Sequence, residues 1–299
     1  MATRQAHAQA VLLIIFTSLC FSAVDTMSKM SGAFAPLAQV LFARYAVQFC
    51  ATLLWWACVV RPRLGLAFFK TRHPRFHLAR GLLLAVSTAL CFAGLRYMPV
   101  GEFTAIAFMA PMLAMALAAW LLQERVLPGQ WWLAALAFGG ALVVIRPGAD
   151  VFGWVVLFPL ALALTHAGFQ TLTRRLARDE EHPVLGQLAA GAVGTLMFSL
   201  PLFWPGNFLW DLAGWQWALL IAMGLAATLG HFALLLAYAR DTPAALAPFN
   251  YVQIAFAMLA GWVAFEHVPD AWAISGMLLI GATGAGSAWL RLRVRREGF

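Results

Sequence analysis

Charge is what this sequence has least of. Of its 299 residues only 11% are Asp, Glu, Lys or Arg, while 63% are hydrophobic. A soluble domain carries roughly 25% charge. A chain this apolar lacks the polar surface to stay dispersed in water, so composition excludes a soluble globular domain and points to an integral membrane protein. Carboxylates are the scarcer sign, twelve against twenty Lys and Arg. They are Asp25, Glu102, Glu124, Asp150, Asp179, Glu180, Glu181, Asp211, Asp241, Glu266, Asp270 and Glu297. None is placed at mid-bilayer depth, with Asp25 the nearest. Cysteines number four (Cys20, Cys50, Cys58, Cys91), all within apolar runs and without CxxC spacing, so reduced thiols packed as small apolar groups are expected rather than a metal or disulfide framework. The one close histidine pair, His73 and His77, is interrupted by Pro74 and is not HExxH. No Walker loop and no GxGxxG after a strand is present, which leaves ATP-driven transport unsupported. The net charge of +8 does not argue for nucleic acid, because the basic residues sit in short loops rather than along one stripe.

What is present is a series of long apolar segments. A spanning helix needs about 20 mostly apolar residues. Ten segments qualify, near 9–29, 36–60, 78–97, 102–122, 128–145, 153–172, 184–204, 215–237, 243–264 and 271–290. The first follows Arg4, as in a signal peptide, but removing it would leave the first of two similar halves one helix short. Those halves are visible in the residues. The stretch Leu95–Pro147 returns 142 residues later without a gap: Trp120 maps on Trp262, Glu124 on Glu266, Val126 on Val268 and Gly139 on Gly281. The expected fold is therefore an all-α integral membrane protein of ten transmembrane helices. Its units are a five-helix repeat at 8–147, a second at 152–291, and a basic tail at 292–299. Five is odd, so the second repeat enters the membrane from the opposite side, giving inverted repeats.

Lysine and arginine orient the chain. With the N-terminus inside, the cytoplasmic segments hold Arg4, the six basic residues between Arg61 and Arg80, Arg125, Arg174, Arg175, Arg178, Arg240 and the four between Arg291 and Arg296, which is 16 of the 20. Both termini are predicted to face the cytoplasm of a bacterial-type inner membrane. The basic 61–80 loop suits contact with anionic lipid or simple solvation. Small residues at helical spacing (Ala110, Ala114, Ala118; Ala257, Gly261; Gly276, Gly281, Gly284, Gly286) are expected to let helices approach closely. Pro111 is expected to kink span four. The tryptophans at span ends, Trp55, Trp56, Trp131, Trp132, Trp215 and Trp217, fit an interfacial belt.

These residues resemble the EamA family of the drug/metabolite transporter superfamily. The resemblance rests on Pro111, Trp120-Leu121-Leu122, Glu124-Arg125, Pro128, Gln130-Trp131 and Gly139-Gly140, together with Arg44 in span two. It extends over nearly the whole chain, is specific for fold and weak for substrate. Within the family the chain is most similar to YddG-type exporters of amino acids. Two departures stand out: the repeat counterpart of Arg44 is Gly186, and that of Pro111 is Gln253.

Polar residues in spans are costly and face the bundle interior. Gln39, Arg44, Gln48, His166, Gln170, His231, Asn250, Tyr251 and Gln253 are such residues. The substrate-binding set expected from them is His231, Asn250, Tyr251, Gln253, His166, Arg44 and Gln48. Asn250 and Gln253 are about 60° apart on a helix, and a lone intramembrane His is more often a packed, hydrogen-bonded residue than a ligand contact. Tyr97 and Tyr238 end spans three and eight and are expected to close the two sides as paired gates. No catalytic residue, metal ligand or cofactor is expected. Without a mid-membrane carboxylate, the solute is expected to be zwitterionic or neutral, its charges met by hydrogen bonds, and to move down its gradient or be coupled through His166 or His231. The expected function is alternating-access export of small metabolites, foremost amino acids including aromatic ones. A multidrug, nucleotide-, vitamin- or sugar-related carrier is the alternative, and an intramembrane enzyme is more distant. The expected partners are a small-molecule substrate and the lipid bilayer, with no nucleic acid; the sequence gives no oligomeric state.

Overall fold

Apolar runs in lipid have one economical conformation, the helix, because it satisfies its own backbone. A computed structural model of the chain describes residues 2–61, 65–95, 97, 103, 106–145, 154–179, 182–265 and 270–296. Among them the regular elements are helices: α1 (Ala2–Ser31), α2 (Leu37–Trp55), α3 (Pro74–Leu95), α4 (Ala110–Leu121), α5 (Pro128–Ile145), α6 (Leu157–Arg178), α7 (Pro183–Ser199), α8 (Gly214–Arg240), α9 (Pro243–Asn250), α10 (Val252–Phe265) and α11 (Ala271–Arg296). Eight helical stretches are long and apolar enough to cross a membrane. Two shorter apolar helices, Ala110–Leu121 and Ala271–Ser287, stand where spans four and ten are expected. Glu102, Glu266, Val268, Arg63, Arg96, Arg146, Pro147, Asp150, Glu180, Glu181 and Glu297 lie outside the described residues.

The starts of the helices are written locally. Pro128, Pro183 and Pro243 each stand first in their helix, where a missing N–H costs nothing. Thr242 caps α9 by accepting from the Ala245 N–H, and His182 caps α7 by accepting from the Val184 N–H. Outward faces keep large apolar side chains exposed, among them Leu54, Trp132, Leu164, Leu196 and Leu278, as a lipid-facing surface requires. All four cysteines are unpaired, but Cys50 and Cys58 are exposed on that outer face instead of packed inside.

The principal helix contacts link the two halves. The helix α1 packs on α8 and, in the same relation, α6 packs on α3. The pairs α1–α10 and α6–α4 correspond in the same way, as do α2–α8 and α7–α3, while α2–α7 and α5–α11 pair like with like. The largest core cluster accordingly draws from both halves: Ile14, Tyr45, Leu84, Phe169, Phe198, Leu234, Tyr238 and Phe249. Close approach is bought by glycine at two crossings. A Cβ on Gly194 would stand 2.0 Å from the Tyr45 ring, and one on Gly276 would stand 2.6 Å from the Gly140 carbonyl. Ala110, Ala114 and Ala118 are buried as expected. Gly261 and Gly281 differ from expectation: a Cβ there meets nothing within 4 Å, so neither is a packing glycine.

Span four departs from the kinked helix that Pro111 suggests. Helical residues at 106–107 give way to a turn at 108–109, and α4 starts at Ala110 with Pro111 in its first turn. Lacking an N–H, Pro111 cannot continue the earlier helical ladder, so it opens a new helix. The other half is interrupted too. A turn at Tyr251 separates α9, which contains Pro248, from α10.

Candidate functional site

The two interruptions touch. Tyr251, the turn residue, is the counterpart of Met109 on the 142-residue offset. Its hydroxyl donates to the Phe108 carbonyl (3.1 Å), and its ring packs near Phe108 and Phe138. Discontinuous helices free backbone groups at depth, and transporters place solute sites at such breaks.

Polar side chains of α1 and α10 meet just past this break. Gln253, just past the break, donates to Asp25 of α1 (3.2 Å). Asp25 keeps accessible surface although protein atoms are dense around it. His166 has the same character, partly accessible within the bundle, 5.6 Å from the Phe169 ring. Arg44 is close enough for its charge to act on Asp25, His166 and His231. It forms no salt bridge among the described residues; its Nε is buried without a partner, and its guanidinium stands 5.6 Å from the adjoining Tyr45 ring.

The remaining expected site residues are held in packing. His231 is fully buried, its Nδ1 bonded to the Ala227 carbonyl (2.7 Å) and its ring between Phe21 and Phe169. Tyr251 is fully buried in a cluster with Ala137, Ile254 and Ile280. Asn250 donates back to the Leu246 carbonyl (3.3 Å). Gln48 donates to Gln187 (3.4 Å), which in turn donates to the Thr228 carbonyl, tying α2, α7 and α8 together. Tyr97 and Tyr238 are not brought into equivalent places. Tyr97 is 59% exposed and stacks on Phe158, whereas Tyr238 is 0% exposed and donates to Gln170 (2.6 Å) in the main core.

Sequence reasoning missed two residues. Asp25 is outside the set expected from sequence, and its partner Gln253 is 228 residues away. Arg80 was counted with the basic cytoplasmic segments, yet it is fully buried. Its Nε donates to Thr173 (2.8 Å), its Nη1 to the Gly186 carbonyl (2.8 Å), and its guanidinium lies 4.7 Å from the Phe169 ring. Gly186, the counterpart of Arg44, stands beside this group: a Cβ there would lie 3.3 Å from the Arg80 Nη1.

Segments assigned to one side of the membrane meet at one end of the bundle. Arg174 bonds Glu124 (2.7 Å) and the Tyr238 carbonyl, and Arg178 donates to the Leu122 carbonyl (2.9 Å). His7 pairs with Asp241, and His73 with Asp179 (3.3 Å). The cap residue His182 lies here too, and burial pushes its ring below the ordinary value of 6.5.

Comparison with known proteins agrees with this architecture. The chain is 29% identical to a riboflavin transporter of Rhizobium johnstonii over 96% of its length and 92% of the relative's. It is 28% identical to a pseudopaline exporter of Pseudomonas aeruginosa, over 90% and 92% respectively. It is 27% identical to an S-adenosylmethionine uptake transporter of Rickettsia conorii, over 87% and 85%. A solved crystal structure matches with a TM-score of 0.77 at 20% identity, over 96% of this chain and 99% of that one, which shows a shared fold. Residues 8–146 match the EamA-like transporter family. The family match covers 139 of the 299 residues, and the three relatives named above are all transporters or exporters.

Proposed function

We propose that the chain is an alternating-access carrier that exports small metabolites, amino acids including aromatic ones foremost, across a bacterial-type inner membrane. The observation that carries this reading is the contact between two interrupted helices, at Met109 and Tyr251, in corresponding places of the two halves. Two related broken helices meeting inside a bundle provide a site that either half can close. The reading takes ten spans, arranged as inverted repeats at 8–147 and 152–291, with a cytoplasmic tail at 292–299. It is supported by helix pairing that survives exchange of the halves. Cytoplasmic termini are supported by the basic segments meeting at one end. Asp25, Arg44, His166 and Gln253 form the proposed solute wall. Gln48, His231, Asn250 and Tyr251 hold its shape, and Tyr97 and Tyr238 take part in closure on their respective sides.

The relatives favour a second reading, a carrier of another metabolite, because they include a riboflavin transporter, a pseudopaline exporter and an S-adenosylmethionine uptake transporter. Counterflow into proteoliposomes separates the two. Radiolabelled amino acids, riboflavin and S-adenosylmethionine are offered to vesicles preloaded with the same unlabelled solute. Amino-acid accumulation above protein-free vesicles supports the first reading, accumulation of another solute alone supports the second, and no flux for any member of a broad metabolite panel contradicts both.

A further inference from the structure

We propose that Arg44 and Asp25 are the two poles of a zwitterion site, the guanidinium taking a carboxylate and the Asp25 carboxylate taking an amine of the same small molecule. This rests on the carrier reading above and narrows it to a substrate class. Both residues lie inside candidate spans, Asp25 within Gln5–Ser31 and Arg44 within Leu37–Val60. A charge in such a place is kept when it has a partner or a task. Arg80 shows what a protein partner looks like, with a hydroxyl, a carbonyl and a ring around its guanidinium. Arg44 has no comparable set: among the described residues no carboxylate pairs with it, and its Nε is left unbonded.

Asp25 is near enough to feel the charge of Arg44. If the two had only to neutralise each other, helices this long and side chains this flexible would let them close to salt-bridge distance, about 4 Å or less. They stand farther apart. Asp25 is held on the other side by Gln253, whose amide bonds one carboxylate oxygen, Oδ2. The second oxygen has no bond to the described residues and belongs to an exposed side chain. Opposite charges that act on each other without closing into a salt bridge fit a head group carrying both charges. The α-ammonium and α-carboxylate of an amino acid are two bonds apart on one carbon. Each would make a charge-assisted hydrogen bond of about 2.7–2.9 Å to its pole. The pair adds no net charge to the wall, so it favours a solute that is likewise neutral overall over a simple cation or anion. The hydrogen-bond-only recognition expected from sequence is thus replaced by two fixed charges.

The test uses the full chain in proteoliposomes, with counterflow of radiolabelled L-phenylalanine and of a mixture of the other common L-amino acids, and with riboflavin as a non-zwitterionic comparison. Where an amino acid is carried, its methyl ester and its N-acetyl derivative should each compete about tenfold or more weakly than the parent, one pole being lost in each. The variants then separate the poles. Arg44→Gln should lower affinity for the parent about tenfold or more, while the ester competes as it does on wild type. Asp25→Asn should do the same with the N-acetyl derivative as the unaffected competitor. The analogue series on wild type needs no variant, so it decides the matter if either variant fails to fold. Esters and N-acetyl derivatives competing as well as the parent would overturn the proposal. So would riboflavin flux with no amino-acid flux, which leaves the carrier reading standing; absence of flux for every solute contradicts the carrier reading itself.

Discussion

Two helix crossings that correspond under exchange of the halves, α3 with α7 and α2 with α8, each carry one interior arginine, and the two are treated in opposite ways. At the first, Arg80 of α3 is locked by Thr173, the Gly186 carbonyl and the Phe169 ring. At the second, Arg44 of α2 sits where α2 comes close to α8, a Cβ on Gly224 standing 3.1 Å from the Arg44 carbonyl, yet its guanidinium has no such set of bonds. On the repeat offset, Arg44 corresponds to Gly186 and Arg80 to Ala222, so each crossing holds a single arginine, supplied by the first half. A buried charge bonded through Nε and Nη1 and set against a ring ties helices together, although the Arg80 Nη2 has no partner. One without such bonds, acting on an exposed carboxylate, is the pole proposed above for a solute. The correspondence in helix pairing therefore does not extend to the interior arginines.

Substitution by lysine sharpens this contrast most. Lysine keeps the charge but loses the planar fork that lets Arg80 bond in two directions and stack on a ring. Arg80→Lys should cost about 1.5–3 kcal/mol, the worth of a charge-assisted hydrogen bond, whereas Arg44→Lys should change stability by less than about 0.5 kcal/mol. Chemical denaturation in detergent, with both variants at matched purity, checks the difference. Equal losses would erase the distinction between the two arginines.

A third arginine supplies an intermediate case. Arg174 is paired with Glu124, both largely but not fully buried, at the end of the bundle where the basic segments meet. Glu124→Gln keeps the shape and removes the charge, and should cost about 1 kcal/mol, the upper end for a partly exposed pair. The same denaturation series reads it. A loss as large as that of Arg80→Lys would make this ion pair the stronger fastening.

The smallest expected effect is at His182. Its Nδ1 accepts from the Val184 N–H, which requires an unprotonated nitrogen, and burial holds the ring below 6.5. A histidine depressed in the folded state contributes fully above its unfolded value. That contribution is lost as pH falls from about 6.5 through the lower folded value. Thermal stability of wild type should therefore drop more between pH 7.5 and 5 than that of His182→Asn, whose amide oxygen can cap at either pH. Identical pH profiles would remove His182 from the account.

Much of the frame was legible in the sequence. Apolar run lengths gave the places of the helices, and Trp120, Glu124 and Gly139 gave the repeat through their counterparts. The proline-led starts at Pro128, Pro183 and Pro243 needed only local chemistry. The site was less legible because it is made by contacts across the chain. Nothing local to Asp25 announces Gln253, and nothing local to Arg80 distinguishes a buried guanidinium from one in a basic loop; Thr173 and Gly186 make the difference. Pro111 marked an interruption, but that a second falls at Tyr251 and touches the first depends on tertiary packing. Tyr97 and Tyr238 show the converse. Their similar positions in sequence suggested a pair, and packing places one on the outside and the other in the core.

Central to the account is a wet, solute-binding wall at Asp25 and Gln253, and its most direct test is the reactivity of a cysteine placed there. With Cys20, Cys50, Cys58 and Cys91 replaced, Gln253→Cys should react with a water-soluble maleimide in proteoliposomes, while Ala114→Cys, fully buried between helices, should not. A solute shown to undergo counterflow should slow the Gln253→Cys reaction in proportion to its occupancy. A Gln253→Cys thiol as silent as Ala114→Cys, or one whose rate is unchanged by a saturating transported solute, would contradict the account.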